Sequence, residues 1–524
     1  MKPLIAIVIC TVLAYACNRP DFPHSAKLDI ALKYARDNVS ELEKVIDHYS
    51  KDAKDSLKLQ AALFLIENMP GKGYFKYSPR DNRGITSYQV FRGELGIDSI
   101  NVLKSKYEDS MNCGEIRYVN PVFVEDLQII RAPQIIENIE YAFRAWEMPW
   151  AKSLTFSQFK ELILPYRVND EPLQKWRKYF FENSGWIFKL AGNTHDRLKL
   201  ASVVNDSLKK GYRYIHGEIS YFPGTFTLAE LKCTKGGRCE DLNMLLGYWL
   251  RAIGVPLTRE YTSYWANTNW GGHSWLSILD STGKFVPMNA VYDNPRRDSL
   301  PFHDEKLIKA YRNQYEINNF SSPGSFVRKP VTDITTEYID ATDYTFVYHH
   351  EDTTRTYISV LNGPYWKPFV TETVIQGDST VFKNIGTGAL YATIQLRGDT
   401  FHRTIRAPFL LTKTGKVQPL MMRKDTSVTV SFDLSLVRVD LYKKRCRVIY
   451  WDEDLQDWSA GNEIKVLTID PNQVIKQKKH AAITFNGLPG GTMYKLVDAD
   501  YFPYARFGGR PFIFNEEERQ YMRY

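Results

Sequence analysis

The sequence has few of the features that mark disulfide-rich, nucleic-acid-binding or membrane-spanning proteins. Only six of its 524 residues are cysteine, and they lie far apart, which excludes a disulfide scaffold. It has no block of five or more Lys and Arg residues, and its net charge of +8 is small for this length, so we do not expect nucleic-acid binding. After the first twenty residues no apolar run is long enough to cross a membrane. The composition is that of a globular protein, and the length requires more than one domain.

The N-terminal residues are typical of an export signal. A lysine precedes an uncharged apolar run over residues 4–16, which is too short to span a bilayer but suits a signal peptide. Ala14 and Ala16 stand at the third and first positions before Cys17, which resembles a bacterial lipobox, although Tyr15 is bulkier than its usual occupant. The alternative is an ordinary signal peptide whose cleavage leaves Cys17 unmodified. We predict an exported lipoprotein, anchored through Cys17 in the outer membrane on its periplasmic or cell-surface face.

The hydrophobic pattern predicts a multidomain α+β protein. After the signal peptide with its lipobox-like cysteine (1–17), residues 18–177 show helical periodicity and residues 178–321 mix helices with strands. From there on, alternating runs rich in β-branched and aromatic residues are broken by turn residues, which predicts two β-sandwich domains over 322–433 and 434–524.

Several elements can be given bounds. The apolar spacing predicts helices over 28–49, 57–68, 134–146, 157–162, 198–208 and 242–253. It also predicts a loop around 80–84 and strands over 258–264, 274–279 and 284–288. The last two strands are joined by a hairpin turn that begins at Asp280.

One cysteine has the surroundings of a nucleophile. The run Lys235-Gly236-Gly237-Arg238-Cys239-Glu240-Asp241 leads directly into the predicted helix over 242–253. A cysteine at a helix N-terminus lies where the free N–H groups and the helix dipole favour an anion, so we expect a lowered thiol pKa and a reactive thiolate. The same N–H groups can stabilise an oxyanion. We interpret the two acids after the cysteine as first-turn residues that favour the dipole, not as general acids.

A histidine follows at the start of a predicted strand. Gly271-Gly272-His273-Ser274-Trp275 places an imidazole where it can deprotonate the thiol and protonate a leaving amine. Each signal alone is weak, because a single cysteine on a helix is more often a small buried hydrophobic residue. A zinc site that combines Cys239 and His273 with Cys233 and His216 fits no standard ligand spacing, so we expect no metal.

The joint pattern resembles the transglutaminase-like superfamily, in particular the bacterial transglutaminase-core domain with its papain-like fold. Gly237-Arg238-Cys239 matches the family's Gly-x-Cys, and the helix ends in Arg251-Ala252-Ile253-Gly254-Val255-Pro256, close to the family's Arg-Ala-x-Gly-Ile-Pro. His273-Ser274-Trp275 matches its His-Ala-Trp. The resemblance covers about residues 210–295. It implies cysteine acyl transfer without a cofactor, either as a peptidase or amidase or as a transamidase.

The third member of the family's triad differs in this sequence. The family has an aspartate where Phe285-Val286-Pro287-Met288-Asn289 places Asn289. An asparagine can orient an imidazole, as in the Cys-His-Asn arrangement of papain-like proteases, but it adds no negative charge. Asp293 is the alternative orienting residue. Asp280 is a weaker alternative, because it lies in the predicted hairpin turn. The substitution leaves open a catalytically inactive domain that binds a glycan or a protein in the cell envelope.

Other residues are open to two interpretations. Trp265 and Trp270, with Gly237 and Arg238, are predicted to line the substrate cleft, although both indoles could equally pack beneath a loop. The expected substrates are a peptide, a peptidoglycan stem peptide or a glycoprotein. Four aromatic residues of the β region could contact glycans or fill the core; they are Tyr365, Trp366, Trp451 and Trp458. The one disulfide that we consider joins Cys113 to Cys233.

Overall fold

The computed structural model describes most of the chain after the N-terminal segment. The described residues are 25–82, 84–85, 117–192, 194–215, 224–268, 271–317, 330–347, 355–363, 365–369, 371–397, 400–404, 407–478, 480–501 and 509–524. Within those ranges no helix combines the length and the apolar character that crossing a membrane requires. Cys17, Cys113, His216 and Trp270 lie outside the described residues.

The first helices confirm the predicted helical periodicity but not its continuity. The helices are α1 (Ala26–Ala35), α2 (Val39–Tyr49) and α3 (Ser56–Glu67). A 3₁₀ turn over Arg36–Asn38 separates α1 from α2, so the single helix predicted over 28–49 is wrong. The break is stabilised by the buried Asn38 side chain, whose Nδ2 donates to the carbonyl oxygens of Leu127 (2.9 Å) and Ile130 (2.8 Å). A buried amide needs such partners, and here they come from carbonyl groups outside α1 and α2.

A small antiparallel sheet follows these helices and was not predicted. Its order is β2-β1-β3, with β1 over Gly73–Asp81, β2 over Gly84–Ile85 and β3 over Arg117–Glu125. The loop predicted around 80–84 is therefore mostly strand. The interior of β1 is partly or fully exposed, so its sequence carries no clear alternation of apolar and polar residues.

The described helices between residues 132 and 252 share one hydrophobic core with α1–α3. They are α4 (Ala132–Trp146), α5 (Phe156–Leu162), α6 (Arg177–Glu182), α7 (Gly185–Ala191), α8 (Arg197–Leu208), α9 (Leu228–Thr234) and α10 (Cys239–Ala252). The core runs from Leu28 to Tyr315, across the position 177 where we predict a domain boundary. At its centre α10 buries most of its side chains and packs against α4, α6, α8 and β7 (Gly271–Leu279). This burial holds both ends of α10 firmly in place.

A five-stranded antiparallel sheet lies beside α10. Its order is β10-β9-β6-β7-β8, with β6 over Leu257–Tyr264, β7 over Gly271–Leu279, β8 over Phe285–Met288, β9 over Tyr311–Asn313 and β10 over Val331–Asp333. The three strands predicted between 258 and 288 are thus confirmed to within three residues. The β7–β8 turn is closed by Asp280 Oδ1, which accepts from the backbone N–H groups of Thr282 (2.8 Å) and Lys284 (3.0 Å).

The C-terminal region consists largely of antiparallel sheets. The strands are β11 (Ala341–Val347), β12 (Arg355–Asn362), β13 (Tyr365–Pro368), β14 (Thr373–Gln376), β15 (Ser379–Gly386), β16 (Ala389–Arg397), β17 (Thr400–Thr404), β18 (Phe409–Leu411), β19 (Val417–Pro419), β20 (Arg423–Asp433), β21 (Arg445–Asp452), β22 (Asp457–Val466), β23 (Ala482–Gly490), β24 (Tyr494–Asp498), β25 (Phe512–Asn515) and β26 (Gln520–Arg523). Two short helices, α11 (Thr335–Tyr338) and α12 (Pro471–Gln477), accompany them.

These strands form two layered units. One apolar core joins the sheet β11-β15-β14 to the sheet built on β12 and β16. A second core joins β20-β23 to β22-β21-β24-β25-β26, so the strand that ends at the predicted boundary, 433, packs with the later sheets. Trp451 and Trp458 are buried between the two units, with ring centroids 5.8 Å apart, whereas Tyr365 is exposed.

Candidate active site

The turn before α10 positions Cys239 as the first residue of the helix. The short strands β4 (Arg213–Tyr214) and β5 (Gly236–Gly237) pair in parallel just before it. A side chain at Gly237 would place its Cβ 2.6 Å from Asp241 Cβ, so only glycine fits. Asp241 is fully buried, and its carboxylate accepts from the backbone N–H groups of Arg238 (2.9 Å) and Phe226 (2.7 Å). The first bond gives the N-cap N–H of α10 an acceptor, and the second ties the segment before α9 to the same carboxylate.

Gly237 and Arg238 build this turn and do not line the cavity that Cys239 faces. Arg238 Nε lies 3.2 Å from Asp241 Oδ2, and its Nη2 donates to the carbonyl oxygen of Gly224. The guanidinium is thus held by the turn, because a buried carboxylate is its strongest available partner. The structure therefore assigns both residues to the scaffold and not to the predicted cleft lining.

The thiol of Cys239 is hydrogen-bonded to its neighbour. Its Sγ donates to Glu240 Oε2 at 2.9 Å, and among the described residues it forms no hydrogen bond with His273. Burial of the sulfur, followed by the charge and the hydrogen bond of Glu240, raises the pKa of the Cys239 thiol to about 12, although hydrogen bonds from Ser274 act in the opposite direction. The prediction of a lowered thiol pKa is therefore wrong for this resting arrangement, since a nearby carboxylate disfavours a second negative charge.

Glu240 is itself held in the charged form. Burial opposes its ionisation, but Arg259, whose Nη2 lies 3.6 Å from Glu240 Oε1, and the thiol together lower the pKa of Glu240. The Asn169 side chain also donates to the Glu240 carbonyl oxygen at 2.7 Å. Glu240 thus does more than favour the helix dipole, because its carboxylate accepts a hydrogen bond from the thiol of the candidate nucleophile.

His273 is oriented from β7 by Asn289. Its Nε2 lies 2.8 Å from Asn289 Oδ1, while Asn289 Nδ2 donates to Asp293 Oδ2 (3.0 Å) and to the carbonyl oxygen of Pro301 (3.0 Å). Two acceptors fix the amide group, so its oxygen faces the imidazole and Nε2 must carry the hydrogen. Nδ1 is then the unprotonated nitrogen. Burial lowers the pKa of His273, and the Asn289 hydrogen bond opposes that shift.

The second candidate for orienting the imidazole has a different place. Asp293 contacts Asn289 and lies 4.0 Å from His303 Nε2, but it forms no hydrogen bond with His273 in the described structure. It supports the orienting amide and leaves the contact with the imidazole to Asn289. Asp280 remains in its turn, paired with Arg297 at 2.9 Å.

Cys239, His273 and Asn289 line one cavity of about 240 Å³. The strand β7 is tied to the helix α10 beside them, because Asn243 Nδ2 donates to the carbonyl oxygen of Ser274 at 2.9 Å. Trp265 forms a wall, with its ring centroid 6.3 Å from that of His273. Its indole is 2% exposed, so it both packs and lines the cavity, as the two interpretations of this residue allowed.

The wall that Trp265 forms is anchored by residues far along the chain. Asn362 Nδ2, at the end of β12, donates to the Trp265 carbonyl oxygen at 2.9 Å. Arg510 donates from Nη2 to the next carbonyl oxygen, that of Ala266, and from Nη1 to that of Leu361 at 2.8 Å. Both β units therefore contact the loop that follows β6.

The described residues contain no group of three or more His, Cys, Asp or Glu side chains that could hold a metal ion. Cys233, one of the residues considered for zinc or a disulfide, is a free thiol on α9.

Several residues of the site were not singled out from the sequence, among them Asn243, Glu305 and Ser274. Asn243 lies four positions after Cys239, and this spacing places both on one helix face, so it could have been found. Glu305 lines the cavity from a segment without regular structure, which left no pattern to detect. Ser274 contacts the sulfur through the β7 register, and only the fold reveals that contact.

Comparisons with known proteins agree with this geometry. No curated protein matches the chain. Residues 174–290 match the family model described as the transglutaminase-like superfamily, a segment that begins just before α6 and ends one residue after Asn289. The protein thus contains a transglutaminase-like superfamily domain, and Cys239, His273 and Asn289 all lie within it.

Proposed function

We propose that this protein is a cysteine acyl-transfer enzyme that acts on amides through a thioester at Cys239. The observation that carries the proposal is the 2.8 Å hydrogen bond between His273 Nε2 and Asn289 Oδ1. It fixes the imidazole with an unprotonated Nδ1, the form that accepts a thiol proton, beside the cavity that Cys239 lines.

The reaction has two halves. The Cys239 proton passes to His273 Nδ1, and the thiolate attacks the amide carbonyl carbon. The C–N bond then breaks as His273 returns the proton to the departing amine, which leaves a thioester on Cys239. In the second half, water releases a carboxylic acid or an amine forms a new amide, and either step restores the thiol. Backbone N–H groups at the start of α10 are the donors available for the oxyanion.

The resting thiol must first change its partner. It donates to Glu240 at 2.9 Å, so a substrate or a side-chain rotation has to free the proton for His273. This contact also supports a second candidate function, in which the domain is catalytically inactive and its cavity binds a glycan or a protein of the cell envelope. The two functions differ in whether Cys239 ever forms a covalent intermediate.

The proposed substrates are a peptide, a peptidoglycan stem peptide or a glycoprotein outside the cytoplasm. This setting follows from the signal peptide and the lipid anchor that we propose at Cys17. Between hydrolysis and transamidation we propose hydrolysis as the default, because water needs no second binding site. The exposed Tyr365 offers one point for a glycan contact in the β units.

A trapping experiment tests the proposal. The full chain is incubated with candidate peptides and an isotope-labelled amine, and adducts are mapped by mass spectrometry. We expect an acyl adduct on Cys239 or label on the substrate, both lost in Cys239→Ala. The matched control is Cys446→Ala, which removes a buried thiol of the last β unit and should leave the adduct unchanged. Specific binding without any adduct would support the inactive domain instead.

A further inference from the structure

The charges at the cleft differ from those of the chain as a whole. The chain carries a net charge of +8, yet in the described lining of the cavity the one Asp, Glu, Lys or Arg residue is Glu305. Glu240 adds a second carboxylate, which accepts a hydrogen bond from the Cys239 thiol. By contrast, a separate cavity bordered by Arg259 is lined by several cations, among them Lys72, Arg167 and Arg251. Of these cations, Arg259 approaches the nucleophile through its 3.6 Å ion pair with Glu240, whereas the described lining of the Cys239 cavity contains no Lys or Arg.

Glu305 is available to a ligand. Its Oε2 accepts one hydrogen bond, from the backbone N–H of His303 at 3.2 Å, and no Lys or Arg of the described residues forms a salt bridge with it. The charges of Glu240 and Glu305 both act on the His273 imidazole, where they oppose the effect of burial on its pKa. Arg259 acts on the imidazole in the opposite direction, so an incoming group meets the field of Glu305 together with a Glu240 carboxylate that Arg259 partly neutralises.

Aromatic rings complete the lining. Trp265, Phe302 and Tyr292 border the same cavity, and Tyr292 is 65% exposed. Aromatic faces attract ammonium and guanidinium groups, and they also pack against the alkyl stems of lysine and arginine. Rings next to the Glu305 carboxylate, which forms no salt bridge with a described Lys or Arg, therefore suit a cation on an apolar stem better than an anion.

We propose that the cleft selects peptides in which a cationic side chain, an ammonium or a guanidinium, lies next to the reacting amide, with Glu305 and Glu240 setting this preference. The inference rests on the proposed function, because it names the substrate class of that site. It also gives the substrate a role in activation. A cation that pairs with Glu240 competes with the Cys239 thiol for the carboxylate that accepts its hydrogen bond, and the thiol can then turn to His273.

Charged thiol reagents of matched size test this preference directly. The full chain is treated with the aminoethyl, sulfonatoethyl and methyl esters of methanethiosulfonate at low ionic strength, and the rate of modification at Cys239 is followed by peptide mass spectrometry. Each rate is divided by the rate with a small free thiol. We expect the normalised preference for the cationic over the anionic reagent to be about tenfold or more, and to decrease as salt is added.

Charge-neutralising variants locate the effect. Glu305→Gln and Glu240→Gln should each reduce the preference several-fold. The matched control is Asp304→Asn, which removes the same charge from the exposed neighbour of Glu305 outside the cavity lining and should leave the preference unchanged. A wild-type ratio equal to that of the free thiol, or equal losses in Glu305→Gln and Asp304→Asn, would overturn the proposal.

The ratio of the normalised rates with the cationic and anionic reagents tests the charge preference independently of the proposed function. It cancels the absolute reactivity of Cys239, so it is measurable even in a chain that never forms an acyl adduct. A strong cationic preference without a trapped adduct contradicts the proposed function alone. An adduct on Cys239 with no charge preference contradicts the charge selection alone.

Discussion

The candidate site has two halves, the strand that carries His273 and the helix terminus that carries Cys239. They hold their side chains in different ways. On β7 the imidazole is bonded to Asn289, and the Asn289 amide is fixed in turn by Asp293 and Pro301. On α10 the backbone is equally fixed, but the thiol donates to Glu240 and not to the base. The base is therefore ready for proton transfer at rest, and the nucleophile is not.

The difference shows that position at a helix N-terminus does not by itself set the pKa of a thiol. The helix dipole contributes about 0.3–1 kcal/mol at such a position. At Cys239, burial and the adjacent carboxylate outweigh it. Glu240 and Asp241 are neighbours with the same charge, yet one faces the sulfur and the other holds the turn.

The largest effect that we expect is on the stability of the fold, and it distinguishes Asp241 from Glu240. Asp241→Ala removes the carboxylate that accepts two backbone N–H groups, and it leaves them buried without partners. We expect the free energy of unfolding to fall by about 2–4 kcal/mol, read as a lower midpoint in calorimetry. Glu240→Gln, the control, loses the partly exposed ion pair with Arg259 and should change it by about 1 kcal/mol or less. Equal losses would mean that both acids serve the turn.

The next effect tests the strand side. Asn289→Ala frees the imidazole to rotate, and we expect the rate of acyl-adduct formation at Cys239 to fall about ten- to hundredfold, because a misplaced base loses its alignment with the thiol. Asp293→Asn keeps an acceptor for the Asn289 amide and should cost about threefold or less. If the Asp293 variant loses as much as the Asn289 variant, the carboxylate and not the amide orients His273.

The smallest effect that we expect concerns Cys239 at the helix terminus and is read from the pH dependence of its labelling. Because the thiol pKa is about 12, the rate of iodoacetamide labelling at Cys239 should rise with pH throughout the neutral and mildly basic range, without a plateau. Glu240→Gln removes the carboxylate that disfavours the thiolate. The pKa of the Cys239 thiol therefore falls, and the curve of labelling rate against pH shifts to lower pH. At a fixed pH we expect labelling about three- to tenfold faster, with Asp304→Asn as an unchanged control. A curve that does not shift would mean that burial alone keeps the thiol protonated.

Much of this region follows from the sequence. The apolar stripe over 242–253 fixed the position of α10, and the glycines before it predicted the tight turn. The separation of 16 residues between His273 and Asn289 matches a strand, the five-residue connection over 280–284 and a second strand. Their contact therefore follows from simple antiparallel pairing.

The remaining features depend on packing that no local pattern reports. Which acid after Cys239 faces the sulfur depends on Arg259, which comes from another strand. The break at Asn38 depends on carbonyl groups near residue 130. The β1–β3 pairing joins segments more than thirty residues apart whose side chains are largely exposed, so neither strand shows an alternating pattern alone.

The contacts that anchor the loop after β6 bear on how this protein can be dissected. A fragment trimmed to residues 174–290 would keep the thiol, the imidazole and the amide, but not Asn362 or Arg510. The loop that carries Trp265 would lose its remote backbone supports, and α10 would lose α4, one of the helices that pack against it. Such an excised piece is a poor surrogate for enzymology, so failure of the fragment to turn over a substrate would say nothing about the intact molecule.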